Sequence, residues 1–231
     1  MSRRSRLTLL LGGLTGTLLV YDGAKVALAV RNAATFPQHW ESRAAEPVPP
    51  NALRVVALGD SIMQAIGARH PDEGIAGRVA AYLSQKTGRP VHVTNVSVGG
   101  ATVRDVIEAQ LPRVDLSRAD LILVATANDM EKRVALDTYR ADLLQFLPAL
   151  PPDRTVISDL PLEPGRAAYQ AALQQAADEA GIRRADFAAV FNGQGRRLDI
   201  FSWLLPHLNS TGYALWFTAF QPEVDALLGL D

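Results

Sequence analysis

The chain has 231 residues, 48% of them hydrophobic, with a formal net charge of −1 and no cysteine. That length can bury one sizeable core, and a pI near 6.4 leaves no basic stripe for a nucleic-acid partner. Without cysteine there is neither a disulfide framework nor a thiolate metal site, and the four histidines (His39, His70, His92, His207) form no i, i+4 pair of the kind that marks zinc or iron.

Residues 1–30 read as a signal or membrane-anchor helix. Arg3, Arg4 and Arg6 precede an uncharged apolar run from Leu7 to Val20, the pattern of a segment whose basic end stays in the cytoplasm. Ala27-Leu28-Ala29 has the small-x-small form of a cleavage site. Uncleaved, Leu7 to Val30 is about long enough to span a bilayer, although Asp22 and Lys25 interrupt it. The alternative is a helix packed on the following domain. The first reading places the rest of the chain outside the cytoplasm, tethered or released. Residues 31–51 carry Pro37, Pro47, Pro49 and Pro50 with no sustained period, which predicts an extended linker.

Residues 52–231 read as one α/β domain. Arg54 to Leu58 is a strand leading into Gly59-Asp60-Ser61. Apolar residues at helical spacing (Ile75, Val79, Tyr82, Leu83) predict a helix over Gly74 to Thr87, stopped by Gly88 and Pro90. Val91 to Val96 is a second strand, Thr102 to Leu111 a helix bounded by Pro112. Leu121 to Ala125 is continuously apolar, as a central parallel strand buried on both faces requires. A helix near Leu136 to Leu147, a strand at Thr155 to Ser158, and an alanine-rich helix from Ala167 to Ala180 follow. Ala185 to Phe191 is the expected place of a fifth strand. Gly212 to Leu228 closes the domain as a helix capped by Ser210 or Thr211. Strands alternating with helices predict a parallel sheet covered on both faces.

Neither a G-x-x-x-x-G-K-[ST] loop nor a G-x-G-x-x-G after a strand is present, so nothing points to a nucleotide. Three loops do follow apolar runs where open α/β sheets carry their chemistry: Gly59-Asp60-Ser61, Asn95 to Thr102, and Ala125 to Asp129. A fourth segment, Pro206 to Tyr213, contains His207 just before the last helix. Taken singly, each has a bland reading. Gly-Asp-Ser is ordinary turn chemistry, Asn128 could cap a helix or stabilise a turn, Gly99 is a plain turn glycine, and a lone histidine is more often a surface or core residue than a base.

Together, in this order, the four segments resemble the blocks of the GDSL, or SGNH, hydrolase family over roughly Arg54 to Leu228. The resemblance implies a three-layer α/β/α, flavodoxin-like fold with a parallel five-stranded sheet. It implies Ser61 as nucleophile, His207 as general base, and Ser61, Gly100 and Asn128 as donors to an oxyanion hole. The activity implied is ester hydrolysis through an acyl-enzyme on small-molecule esters (acyl, lipid or acylated-sugar), with no cofactor and no metal. The match extends to Gly67, six residues after Ser61, and to Gly212-Tyr213 and Trp216 after His207. Met63 two residues after Ser61 excludes the G-x-S-x-G elbow. Two positions depart from the family pattern. Thr126 replaces a glycine two residues before Asn128. Leu204 stands three residues before His207, where the family places the acid that orients the base. A main-chain carbonyl or a displaced carboxylate (Asp199, or Asp129) would have to replace it. Otherwise the site is a binding module of the cell envelope, because loss of a triad acid costs on the order of 10⁴-fold in rate.

Overall fold

A computed structural model describes residues 32, 34–160, 166–193, 198–202 and 207–230. The expected signal or anchor over 1–30 lies outside them, as does Leu204. Among the described residues no helix is long and apolar enough to cross a membrane.

Five parallel strands form one sheet in the order β2-β1-β3-β4-β5. They are β1 (Leu53–Gly59), β2 (Val91–Asn95), β3 (Leu121–Ala125), β4 (Thr155–Ser158) and β5 (Arg183–Ala185). Period-2 alternation divides the β1 and β3 side chains between two cores. Val55, Ala57, Leu121 and Leu123 face one, with Ile75, Val79 and Leu83 of α2 (Ile75–Thr87) and Phe220 and Val224 of α8 (Ser210–Leu228). Val56, Leu58, Ile122 and Val124 face the other. There they meet Val103 and Val106, Leu143 and Phe146 of α5 (Leu136–Phe146), and Leu173 and Ala177 of α6 (Ala167–Ala180). Burial on both faces is why these strands read as unbroken apolar runs.

Three expectations need correction. Residues 34–44 are not an extended linker but a helix, α1. Phe36 and Trp40, four apart and therefore on one face, are buried against the first core. Pro37 lies within this helix, where its missing N–H removes one backbone donor. The fifth strand is Arg183–Ala185, and the aromatic run after it is a helix, α7 (Phe187–Gly193). Only Ala185 of β5 is buried, so this edge strand has little apolar signal, whereas Phe187 and Phe191 are spaced for a helix. Finally, α8 begins at Ser210 with Asn209 as its cap, the Asn209 Oδ1 accepting from the N–H groups of Thr211 and Gly212.

The helix expected over Thr102 to Leu111 is a short α-turn, α3 (Val103–Asp105), that runs into a π-turn at Val106–Gln110 and a 3₁₀ turn at Leu111–Arg113. The widened turn brings Gln110, fully buried, back to the end of β1. Its Oε1 accepts from Gly59 N–H at 2.9 Å and its Nε2 donates to Gly59 C=O at 2.7 Å. Gly59 thus leaves the sheet with both backbone groups satisfied, two residues before Ser61.

Candidate active site

In a 2-1-3-4-5 sheet the connections from β1 and β3 leave in opposite directions, and a crevice opens at their carboxyl ends. Asp60 and Ser61 follow β1. Asn128 opens α4 (Asn128–Glu131), three residues beyond the end of β3. The sheet order alone therefore brings the first and third loops together.

Asp60 ties them. Its carboxylate is completely buried and accepts from Ile62 N–H (2.8 Å), Ala127 N–H (2.7 Å) and the Asn128 side-chain amide (2.8 Å). Burial pushes its pKa up to about 6 despite these donors. Sequence reading passed over Asp60 as turn chemistry, and only the partner loop reveals what it holds.

His207 is delivered by a short antiparallel bridge. Phe201 pairs with Leu208, Ser202 N–H donates to His207 C=O (2.8 Å), and Asn209 N–H donates to Ile200 C=O (2.9 Å). Gly67 provides the clearance. A Cβ there would stand 2.4 Å from Leu208 O and 3.0 Å from His207 Cβ, at a φ of +99°. Only glycine fits so close an approach in that conformation. The result is His207 Nε2 at 2.8 Å from Ser61 Oγ, hydrogen-bond distance for a base and the hydroxyl it serves. Burial lowers the imidazole pKa below its ordinary value, and the Glu131 charge acts in the opposite sense.

The other imidazole nitrogen, Nδ1, is buried and finds no acceptor among the described residues. Neither replacement carboxylate supplies one. Asp199 is exposed, and its main-chain carbonyl is held by Asn209 Nδ2 at 2.6 Å. Asp129 points away, its Oδ2 accepting from Val103 N–H (2.9 Å) and so fastening the start of α3.

Three groups expected from sequence as oxyanion donors keep hydrogens that are not used among the described residues. Asn128 uses one amide hydrogen on Asp60 and has a second. The N–H groups of Ser61 and Gly100 make no hydrogen bond to another described residue. Gly100 has a φ of +82°, which a glycine adopts without strain. Its neighbour Gly99 lies against the nucleophile's loop, with a Cβ position 3.9 Å from Ser61 Cβ.

Ser61, Asn128 and His207 open onto a pocket of about 130 Å³. Its walls are Phe187, Phe191, Phe201 and Trp216, with Ile62 and Leu208, and a Glu131–Arg166 ion pair also lines it. Phe187 stacks on Trp216 at 4.1 Å between ring centres. Trp216 Nε1 donates to Ser158 Oγ at 2.6 Å, which locks the indole. None of these wall residues was singled out for the pocket from sequence. Two lie in α7, whose helical character was missed.

Residues 57–215 match the GDSL-like Lipase/Acylhydrolase family. The chain belongs to that family. It is an SGNH-type esterase or lipase, a carboxylic ester hydrolase. Solved structures share the fold of this GDSL-like chain at low identity. An α/β hydrolase, LAE5, from the metagenome of Lake Arreo, Spain, superposes with a TM-score of 0.63 at 20% identity over 76% of this chain and 97% of its own. TesA gives 0.63 at 17% identity over 75% and 99%, respectively. The acetylxylan esterase Axe2 of Geobacillus stearothermophilus gives 0.61 at 19% over 76% and 96%. Curated protein sequences include no significant match.

Proposed function

We propose that this GDSL-like enzyme hydrolyses carboxylic esters by an acyl-enzyme route, with Ser61 as nucleophile and His207 as its base. The observation that carries the reading is the 2.8 Å contact between Ser61 Oγ and His207 Nε2 in a partly enclosed, largely aromatic pocket. A lowered imidazole pKa keeps His207 neutral at pH 7, the form that can take the serine proton. Ser61 Oγ attacks the ester carbonyl as that proton moves to Nε2. The tetrahedral oxyanion is met by the Ser61 and Gly100 N–H groups and the second Asn128 amide hydrogen. The imidazolium then protonates the departing alcohol, and water, activated by the same histidine, releases the acid.

The pocket has room for on the order of ten water-sized groups, and its lining is aromatic. We infer a compact apolar acyl or alcohol group as the moiety bound there. Arg3, Arg4 and Arg6 before an apolar run support a location outside the cytoplasm, tethered or exported. A C-terminal reporter active only in the cytoplasm is then silent, and strong signal from soluble, uncleaved protein would refute that placement.

A second reading, a ligand-binding protein of the envelope, is favoured by one observation: the buried His207 Nδ1 without an acceptor among the described residues. A fluorophosphonate probe separates the two. The hydrolase reading expects rapid labelling that Ser61→Ala abolishes. Labelling no faster in the wild type than in Ser61→Ala leaves the binding protein.

A further inference from the structure

His39, His70 and Asp72 meet on the surface beside the segment that carries Ser61, although 31 positions separate the two histidines in the chain. His39 lies on α1, and His70 and Asp72 flank Pro71 at the start of a 3₁₀ turn (Pro71–Glu73). His39 Nε2 stands 3.5 Å from one Asp72 carboxylate oxygen, and His70 Nδ1 stands 3.4 Å from the other. Two donors each about 2.0–2.1 Å from a tetrahedral cation are themselves roughly 3.3–3.4 Å apart. Each histidine nitrogen therefore stands at about that spacing from an Asp72 oxygen, His39 from Oδ1 and His70 from Oδ2, and the ligand atoms of the three side chains lie within 4.8 Å of one another.

Two details point the donors inward. His39 Nε2 is buried yet makes no hydrogen bond among the described residues, its nearest polar contact being Asp72 Oδ1, and a bound cation would satisfy it. His70 Nδ1 accepts a long 3.3 Å bond from Asp72 N–H and lies 3.4 Å from Asp72 Oδ2, so this nitrogen is turned toward Asp72. A cation replaces that weak bond, and the half-exposed turn lets water satisfy the released amide. Arg43 donates to Asp72 Oδ1, the oxygen that His39 faces, and holds the carboxylate in place, so Oδ2 on the His70 side is the oxygen left to coordinate and His39 must turn toward it.

We propose that His39, His70 and Asp72 form a divalent transition-metal site, with water completing the shell, that fastens α1 to the nucleophile-bearing segment. The positive guanidinium of Arg43 works against any dication. Affinity must then come from the two imidazoles, which favours zinc-like cations over magnesium or calcium. The site is remote from the reacting atoms, and its role is to hold. It reinforces contacts that α1 already makes to the stretch after Ser61, namely Trp40 Nε1 donating to Gln64 C=O (3.2 Å) and Asn32 Nδ2 to Ala68 C=O (3.0 Å). It stands independently of the hydrolase reading.

The test is calorimetric titration of zinc chloride into chelator-treated full-length protein, with hydrogen exchange followed over residues 34–44. We expect one equivalent bound, unaffected by excess magnesium, and slower exchange in α1 when zinc is present. His39→Ala, His70→Ala and Asp72→Asn should each weaken binding at least tenfold, whereas His92→Ala and His207→Ala leave it unchanged. His70 is on an exposed turn, so His70→Ala keeps the test decisive if His39→Ala folds poorly. Binding that is indifferent to all three substitutions, or that leaves exchange in α1 unaltered, overturns the proposal.

Discussion

Asp60 Oδ2 accepts a hydrogen bond from Asn128 Nδ2 at 2.8 Å, so the residue before Ser61 fixes the amide that faces the same pocket. One amide hydrogen is anchored in the interior and its geminal partner is aimed. The arrangement couples two loops from adjacent strands through a single buried carboxylate. If the second hydrogen meets the oxyanion, Asn128→Ala should lower kcat by roughly 10²–10³-fold with little change in KM. Asp60→Asn, which keeps the shape but presents an amide to donors, should also lower kcat while leaving Asn128 in place. A normal kcat in the folded fraction of Asn128→Ala would assign that residue to structure alone.

The orientation of His207 can be decided by steady-state kinetics. Asp199 holds its neighbourhood through its main-chain carbonyl, and its carboxylate does not meet Nδ1. Asp199→Asn should therefore retain most esterase activity, while Ser61→Ala and His207→Ala abolish it. A fall of orders of magnitude in kcat for Asp199→Asn would show that its carboxylate swings onto the imidazole during turnover.

Acid should move activity and the Asp60 contribution to stability in opposite directions. Asp60 titrates at about 6 in the folded chain and near 3.9 when unfolded. The folded state therefore binds the extra proton between those values. The stability this group contributes is fully present below about pH 4 and is lost as pH rises through about 6. Urea unfolding of the wild type and Asp60→Asn at pH 5 and pH 7 should show the wild type gaining on the variant at pH 5. Over the same interval kcat/KM should fall, because a protonated Asp60 gives up an acceptor that holds Ala127 and Asn128. An equal gap between the two proteins at both pH values would contradict the assignment of Asp60.

Trp40 tests whether α1 is part of the catalytic domain. Its side chain is 1% exposed and donates to Gln64 C=O. Trp40→Ala should cost about 3–5 kcal/mol, the range for removing a buried aromatic residue, and should lower the melting temperature of the whole domain in one transition. A change below about 1 kcal/mol, the scale of an exposed substitution, would return residues 34–44 to the status of a linker.

The sequence by itself determined the first four strands and the helices α2, α5, α6 and most of α8, because burial on both faces writes strands such as Leu121–Ala125 as unbroken apolar runs, whereas the mostly exposed edge strand β5 left no such run. Ser61, Gly100, Asn128 and His207 were marked by the resemblance of four loops, in order, to the GDSL family, since each residue type alone reads as ordinary turn or surface chemistry. Sequence reading misjudged α1, because three of the four prolines in that stretch lie beyond the helix while the two aromatic residues that anchor it are only one turn apart. Nothing local distinguishes Asp60 from any turn aspartate, or Gln110 from any surface glutamine. Their roles exist only because the 2-1-3-4-5 order sets β1 beside β3 and a π-turn returns a side chain to Gly59. The same holds for the pocket wall and for the meeting of His39 with His70. Such contacts join residues far apart in the chain, and packing of the two cores, not any local pattern, brings them within reach.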